Sequence, residues 1–300
     1  GLIADGTGGQ ITFTSAVATP SPGDWRVVSF YDHAINHQCK LKNCKIEYAG
    51  SKENKGAVFV RGTELAMDNC TIQNSDDYGV WCQESGYFES FTGNTVTTCT
   101  KYPIRIEAEY ARTIGTGNTL TGNTNDGIEV FGGYVSTTGT WANHGVPYVI
   151  TVNDVDIRDA SNSPVLTIAP GNTIKMRSGL EFSAGYSDPG GLIADGTGGQ
   201  ITFTSAVASP SPGDWRVVSF YDHAINGQCK LMNCKIEYGG SNNGNIYIRN
   251  ALPEIKNDSI GHSNTWGIYL EGSQYPDPDS LEFHYGNVFY DNTSGAVHRP

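Results

Sequence analysis

The chain has 300 residues, 37 of them Gly and only 17% charged, against about 7% Gly and 25% charged in an average globular domain. Nineteen Lys and Arg against 31 Asp and Glu give a net charge of −12 with no basic run. The chain therefore lacks the cations that a nucleic-acid partner or an anionic lipid surface requires. No apolar stretch approaches the roughly 18 residues of a spanning helix, so membrane insertion is not expected. A 38% apolar content rich in aromatics excludes bulk disorder.

In chain order, residues 1–51 come first and return at 191–241 with four changes, Thr19/Ser209, His37/Gly227, Lys42/Met232 and Ala49/Gly239, leaving 47 of 51 positions identical. A shorter period lies inside each copy. Asn43, Asn69, Asn94 and Asn118 recur at spacings of 26, 25 and 24, and Asn233, Asn257 and Asn287 mark the second copy. Short alternating β-branched and aromatic runs opened by Gly or Pro follow the markers, as in 56–60, 103–106 and 127–131. Amphipathic helical periodicity is lacking.

Short strands at a period of about 24–26 predict an all-β chain, a β-solenoid. No coil can bury its apolar residues alone, and stacked coils about 4.8 Å apart bury a continuous column. Cys44 is then expected on Cys70, Ile46 on Ile72, Leu41 on Met67 and Asn43 on Asn69, with Asn forming a corner ladder.

Residues 137–147 are turn-rich and break the period. The expected division is a first β-helix copy over 1–136, a linker or irregular insert over 137–147, and a second copy over 148–300. The offset of 190 implies an excerpt from a longer tandem array.

The string Leu166-Thr-Ile-Ala-Pro-Gly-Asn-Thr-Ile-Lys-Met176 resembles the opening of right-handed parallel β-helix (pectin-lyase-like) surface or secreted proteins of bacteria and archaea. Ala194–Thr197, Ile201–Ser205, Pro212–Trp215 and Leu231–Tyr238 continue the resemblance, and Ala4–Thr7, Ile11–Ser15, Pro22–Trp25 and Leu41–Tyr48 repeat it. The resemblance implies the fold and an extracellular or cell-surface location. Relatives of this kind include structural proteins and polysaccharide lyases or hydrolases, so fold alone does not choose a function.

No complete catalytic set appears. Asp76-Asp77 lacks the partner motifs of a polygalacturonase, while Arg105 with Glu107, and Tyr31-Asp32-His33 with its repeat Tyr221-Asp222-His223, are candidate acid–base groups that strand and turn chemistry also explain. No cofactor is expected. Calcium is the candidate metal, at Asp76, Asp77, Asp277 and Asp279, because turn carboxylates suit a hard cation. Of seven cysteines, Cys44 and Cys70 read as interior hydrophobes, with Cys39–Cys44 or Cys229–Cys234 disulfides as the alternative. Exposed aromatics stack sugar rings, and Trp81, Tyr87, Trp141, Trp266, Tyr269 and Tyr275 are the candidate carbohydrate-binding residues. Sequons occur at Asn69, Asn257 and Asn292; the first two are expected inward, leaving Asn292 for a glycan. The reading is a noncatalytic structural or adhesive protein, partnered by itself in a filament, stalk or sheath, or by surface glycans. The alternatives are a polysaccharide-binding module and a lyase or hydrolase of acidic glycans.

Overall fold

A computed structural model describes residues 1–51 and 55–300. The chain divides into two compact units: Gly1–Val130 with His144–Pro147, and Phe131–Asn143 with Tyr148–Pro300. Each is a stack of coils whose short strands pair in parallel with the coils before and after.

In the first unit, Ile3–Asp5, Lys40–Lys42, Glu64–Asp68 and Tyr87–Thr92 form one ladder, and Ile11–Phe13, Cys44–Glu47, Thr71–Gln73 and Thr95–Thr97 a second. Val28–Phe30, Val58–Arg61, Val80–Gln83, Ile104–Ile106 and Ile128–Val130 form a third. The second unit repeats the three-ladder plan. One ladder there runs Gly133–Val135, Val155–Ile157, Glu181–Ala184, Val217–Phe220, Gly244–Arg249, Trp266–Glu271 and Gly295–His298. The segment 137–147 is not irregular throughout, since Gly139–Trp141 is a strand paired with Leu166–Ile168.

The expected apolar register is present. Leu41 pairs with Met67 and Ile46 with Ile72, and all four are fully buried. The 24–26 period is local, however. Val58 pairs with Val80, 22 residues on, whereas Ile3 pairs with Lys40, 37 on. The long coils carry loops braced by side chains: Asp24 accepts from Ser15 Oγ at 2.6 Å and from the Ser21 amide at 3.0 Å, and Asp214 repeats this at 2.7 and 2.9 Å.

The Asn markers prove to be two positions. Asn43 and Asn69 take left-handed backbone, φ 50° and 53°, and the next residue, Cys44 or Cys70, points into the core. One coil later glycine supplies the turn, Gly93 with φ 67°, and Asn94 itself occupies the inward site. There Asn94 Oδ1 accepts from the Cys70 amide at 2.9 Å while its Nδ2 donates to the Met67 carbonyl at 2.8 Å. Asn118 repeats this on Asn94 and Phe91. A second corner column, absent from the sequence expectation, puts Tyr48, Asn74 and Thr98 in left-handed backbone ahead of buried Ala49, Ser75 and Cys99.

This geometry reverses the sequon expectation. Asn69 and Asn257 are exposed, whereas Asn292 turns inward, its Oδ1 accepting from the Ser263 amide and its Nδ2 donating to the Ile260 carbonyl. The cysteine alternative is also corrected: all seven are free and buried. Burial pushes the Cys70 and Cys99 thiols up to about 12 and Cys229 up to about 11. Since the thiolate is the reactive species, we expect no labelling by a thiol reagent such as dithionitrobenzoate at pH 8 until denaturant is added. Prompt reaction of the native protein would contradict this burial.

Candidate functional site

Strand alternation builds the site. In the ladder beginning at Gly133–Val135, flanking residues such as Val155 and Ile157 fill the core, so the residue between them faces outward. Successive pairings then align Tyr134, Asp156, Ser183, Ser219, Tyr247, Tyr269 and His298 in one outward column. Tyr186 and Tyr221 lie beside it, with ring centroids 4.9 Å apart, and Tyr221 packs on Tyr247 at 5.5 Å. Tyr247 continues to Tyr269 at 6.1 Å, and Tyr269 stacks on His298 at 4.0 Å.

The middle of this stripe is packed shut, and its Tyr134 end is open. Tyr134 is 60% and Tyr186 52% exposed, and the Arg158 guanidinium lies 4.4 Å from the first ring and 5.9 Å from the second. A cleft of about 420 Å³ is walled by Tyr134, Arg158, Asp159 and Asp188, and a neighbouring one of about 250 Å³ by Asp154, Asp156, Glu181 and Arg216. The groups are held in place: Arg158 Nη1 pairs with Asp188 at 3.3 Å, Arg216 Nη2 with Glu181 at 3.1 Å, and Tyr221 donates to Glu181 at 2.6 Å. Burial, reinforced by the Glu181 carboxylate, pushes the Tyr221 phenol far up, so it remains a donor. Arg158 Nε is buried and has no hydrogen-bond partner. Five carboxylates against two guanidiniums make the clefts acidic.

The sequence-predicted residues scatter around this site. Tyr269 belongs to the stripe, and Trp266 meets His298 at 5.5 Å. Tyr275 is half-buried in the segment preceding Ser280–His284. Trp141 is fully buried, stacked on Tyr148 at 4.9 Å, so it presents no face to a sugar. That expectation is corrected: the strand Gly139–Trp141 points the indole inward, beneath Phe182. In the first unit Trp81 is half-buried, edge-on to Phe59 and covered by Arg105 at 4.7 Å. Tyr87 stacks on Tyr110 at 5.4 Å and donates to Glu64 at 2.6 Å.

Three of the four candidate calcium carboxylates have other partners. Asp77 is buried, accepts from the Tyr78 amide and pairs with Lys101 at 2.9 Å, while Asp76 is exposed beside Gly23. Asp277 accepts from the Ser280 amide at 2.8 Å and Asp279 pairs with Arg299 at 3.0 Å. Among the described residues one group brings three metal-ligating side chains together, His37, Glu64 and Glu89, and the sequence reading did not single it out. The acid–base candidates also separate. Asp32 and Asp222 bind Arg61 and Arg249, not the adjacent His, and Glu107 accepts turn amides while Arg105 accompanies Tyr78.

Residues 8–139 match a family model described as a right handed beta helix region. The chain folds as a right-handed parallel β-helix. No curated protein and no solved structure matches it. Among the described residues, no helix is long and apolar enough to cross a membrane.

Proposed function

We propose that this β-helix is a noncatalytic extracellular repeat protein that holds a polysaccharide at the open, Tyr134 end of its aromatic stripe, as the adhesive element of a structural assembly. The observation that carries the reading is the Arg158 guanidinium set between the exposed rings of Tyr134 and Tyr186 on the wall of an acidic cleft. Sugar C–H faces stack on such rings, and hydroxyls both donate to carboxylates and accept from guanidinium groups. The surplus of carboxylates disfavours polyuronates and suits neutral or amino-sugar chains.

Calorimetry with cello-oligosaccharides, chito-oligosaccharides, chitosan and polygalacturonate tests this. We expect binding to a neutral or amino-sugar chain, weakened about tenfold in Tyr134→Ala, the loss of one stacking anchor. Binding to polygalacturonate alone, or to none of the four, would overturn the ligand class, and release of new reducing ends or unsaturated sugars would overturn the noncatalytic reading. The near-identity of residues 1–51 and 191–241 favours a second reading, self-assembly. Ordered filaments in negative stain that persist in Tyr134→Ala would support it.

A further inference from the structure

We propose that His37, Glu64 and Glu89 form a binding site for a divalent transition-metal ion, with zinc the best match. The three residues come from consecutive coils of the first unit: His37 from the loop before Lys40–Lys42, Glu64 from the first position of Glu64–Asp68, and Glu89 from Tyr87–Thr92. Their ligand atoms all lie within 4.8 Å of one another, His37 Nδ1 standing 2.9 Å from Glu64 Oε1 and 2.7 Å from Glu89 Oε1. Zinc bonds of about 2.0–2.1 Å set ligand atoms roughly 3.3 Å apart in a tetrahedron, so His37 Nδ1 needs to draw back from each carboxylate by only a fraction of an ångström. One imidazole with two carboxylates suits zinc, whereas calcium requires six to eight oxygens.

The site has outer support. Glu64 is buried, and its second oxygen accepts from the Tyr87 hydroxyl at 2.6 Å, which orients the first toward His37. The His37 side chain is 74% exposed, which leaves the remaining coordination positions open to water or an exchangeable ligand.

The duplicated copy supplies the independent observation. His37 holds left-handed backbone with φ 58°, a conformation that disfavours any residue with a Cβ, and the equivalent Gly227 has φ 79°. The acid changes with it. Lys40 pairs with Ala66 and the equivalent Lys230 with Glu254, so Glu64, two residues before Ala66, corresponds to Leu252. His37 is one of only four differences in the 51-residue block. The copy without the imidazole also lacks the buried carboxylate. A histidine retained in strained backbone only where both acids face it points to use as a ligand.

Zinc titration of the whole chain, stripped with chelator, tests the site by calorimetry, with cobalt absorption reporting ligand geometry. We expect about one equivalent of zinc that excess calcium does not displace. His37→Gly, the residue of the other copy, and the exposed-side variant Glu89→Gln are each expected to weaken binding at least tenfold with far-ultraviolet dichroism unchanged. Absence of zinc binding at millimolar concentration, or equal affinity in the native chain and either folded variant, would overturn the site.

Discussion

Trp215→Ala is expected to cost about 3–5 kcal/mol of stability, the range for emptying a fully buried large aromatic site. Trp25→Ala, in an identical local sequence, should cost well under half of that. Both indoles donate from Nε1 to a carbonyl, Trp215 to Glu237 at 2.9 Å and Trp25 to Glu47 at 2.8 Å. They differ in cover. Trp215 has no exposed surface, whereas Trp25 is only half-buried. The adjoining strand Val217–Phe220 is paired on both sides, by Glu181–Ala184 and Gly244–Arg249, and the Arg216 amide donates to Leu180. Among the described residues Val28–Phe30, its duplicate, pairs with Val58–Arg61 alone. Each variant is its counterpart's control. Urea denaturation followed by dichroism decides the matter, and equal losses would contradict the burial contrast.

Asp258→Asn is expected to raise stability at pH 8, by on the order of a few kcal/mol, and to leave it nearly unchanged at pH 4. Asp258 occupies the inward corner site filled elsewhere by Asn94, Asn118 and Asn287. Its Oδ1 accepts from the Cys234 amide at 2.7 Å, and its own amide donates to Asn287 at 3.0 Å. Asn94 uses Nδ2 to reach the carbonyl of Met67, three residues before Cys70. The corresponding carbonyl for Asp258 is that of Leu231, three residues before Cys234. A carboxylate has no hydrogen for it, and Asp258 Oδ2 has no partner although the residue is fully buried. Only the protonated acid imitates asparagine.

Burial accordingly pushes Asp258 from the ordinary 3.8 up to about 7, against two amide hydrogen bonds that pull it down. The unfolded chain releases the proton near pH 4 while the folded chain keeps it to near pH 7. The contribution of Asp258 is therefore whole below pH 4, falls by about 1.4 kcal/mol per pH unit through that window, and is level above it. Carboxylates whose pKa the fold lowers, such as Asp24 and Asp222, act in the opposite direction and at lower pH, so the test is the difference between the two proteins' curves. Parallel curves from pH 4 to 8 would contradict a proton on Asp258.

Which parts of the site were legible follows from where coil length is constant. His37, Glu64 and Glu89 are 27 and 25 residues apart, close to the period already read, and one of them differs between near-identical copies. That combination was a usable signal for the metal cluster. Tyr186, Tyr221, Tyr247 and Tyr269 are 35, 26 and 22 apart, because loops of different length intervene, and no fixed period aligns them. Trp141 misled because a turn-rich segment reads as surface, while one short strand inside it carries the indole into the core.

The sequence by itself determined the class of fold and the apolar register of Leu41 on Met67 and Ile46 on Ile72. Parallel stacking leaves one way to bury residues that recur at a near-constant spacing. Only the tertiary structure decided which of two adjacent corner residues faces inward, since Asn serves equally as a left-handed turn at Asn69 and as an inward ladder rung at Asn94. It also decided burial itself. Leu192 is fully buried because its strand, Gly191–Asp195, lies between Val165–Ile168 and Lys230–Met232. Local sequence sets the conformation of a coil, but the water it excludes depends on its neighbours.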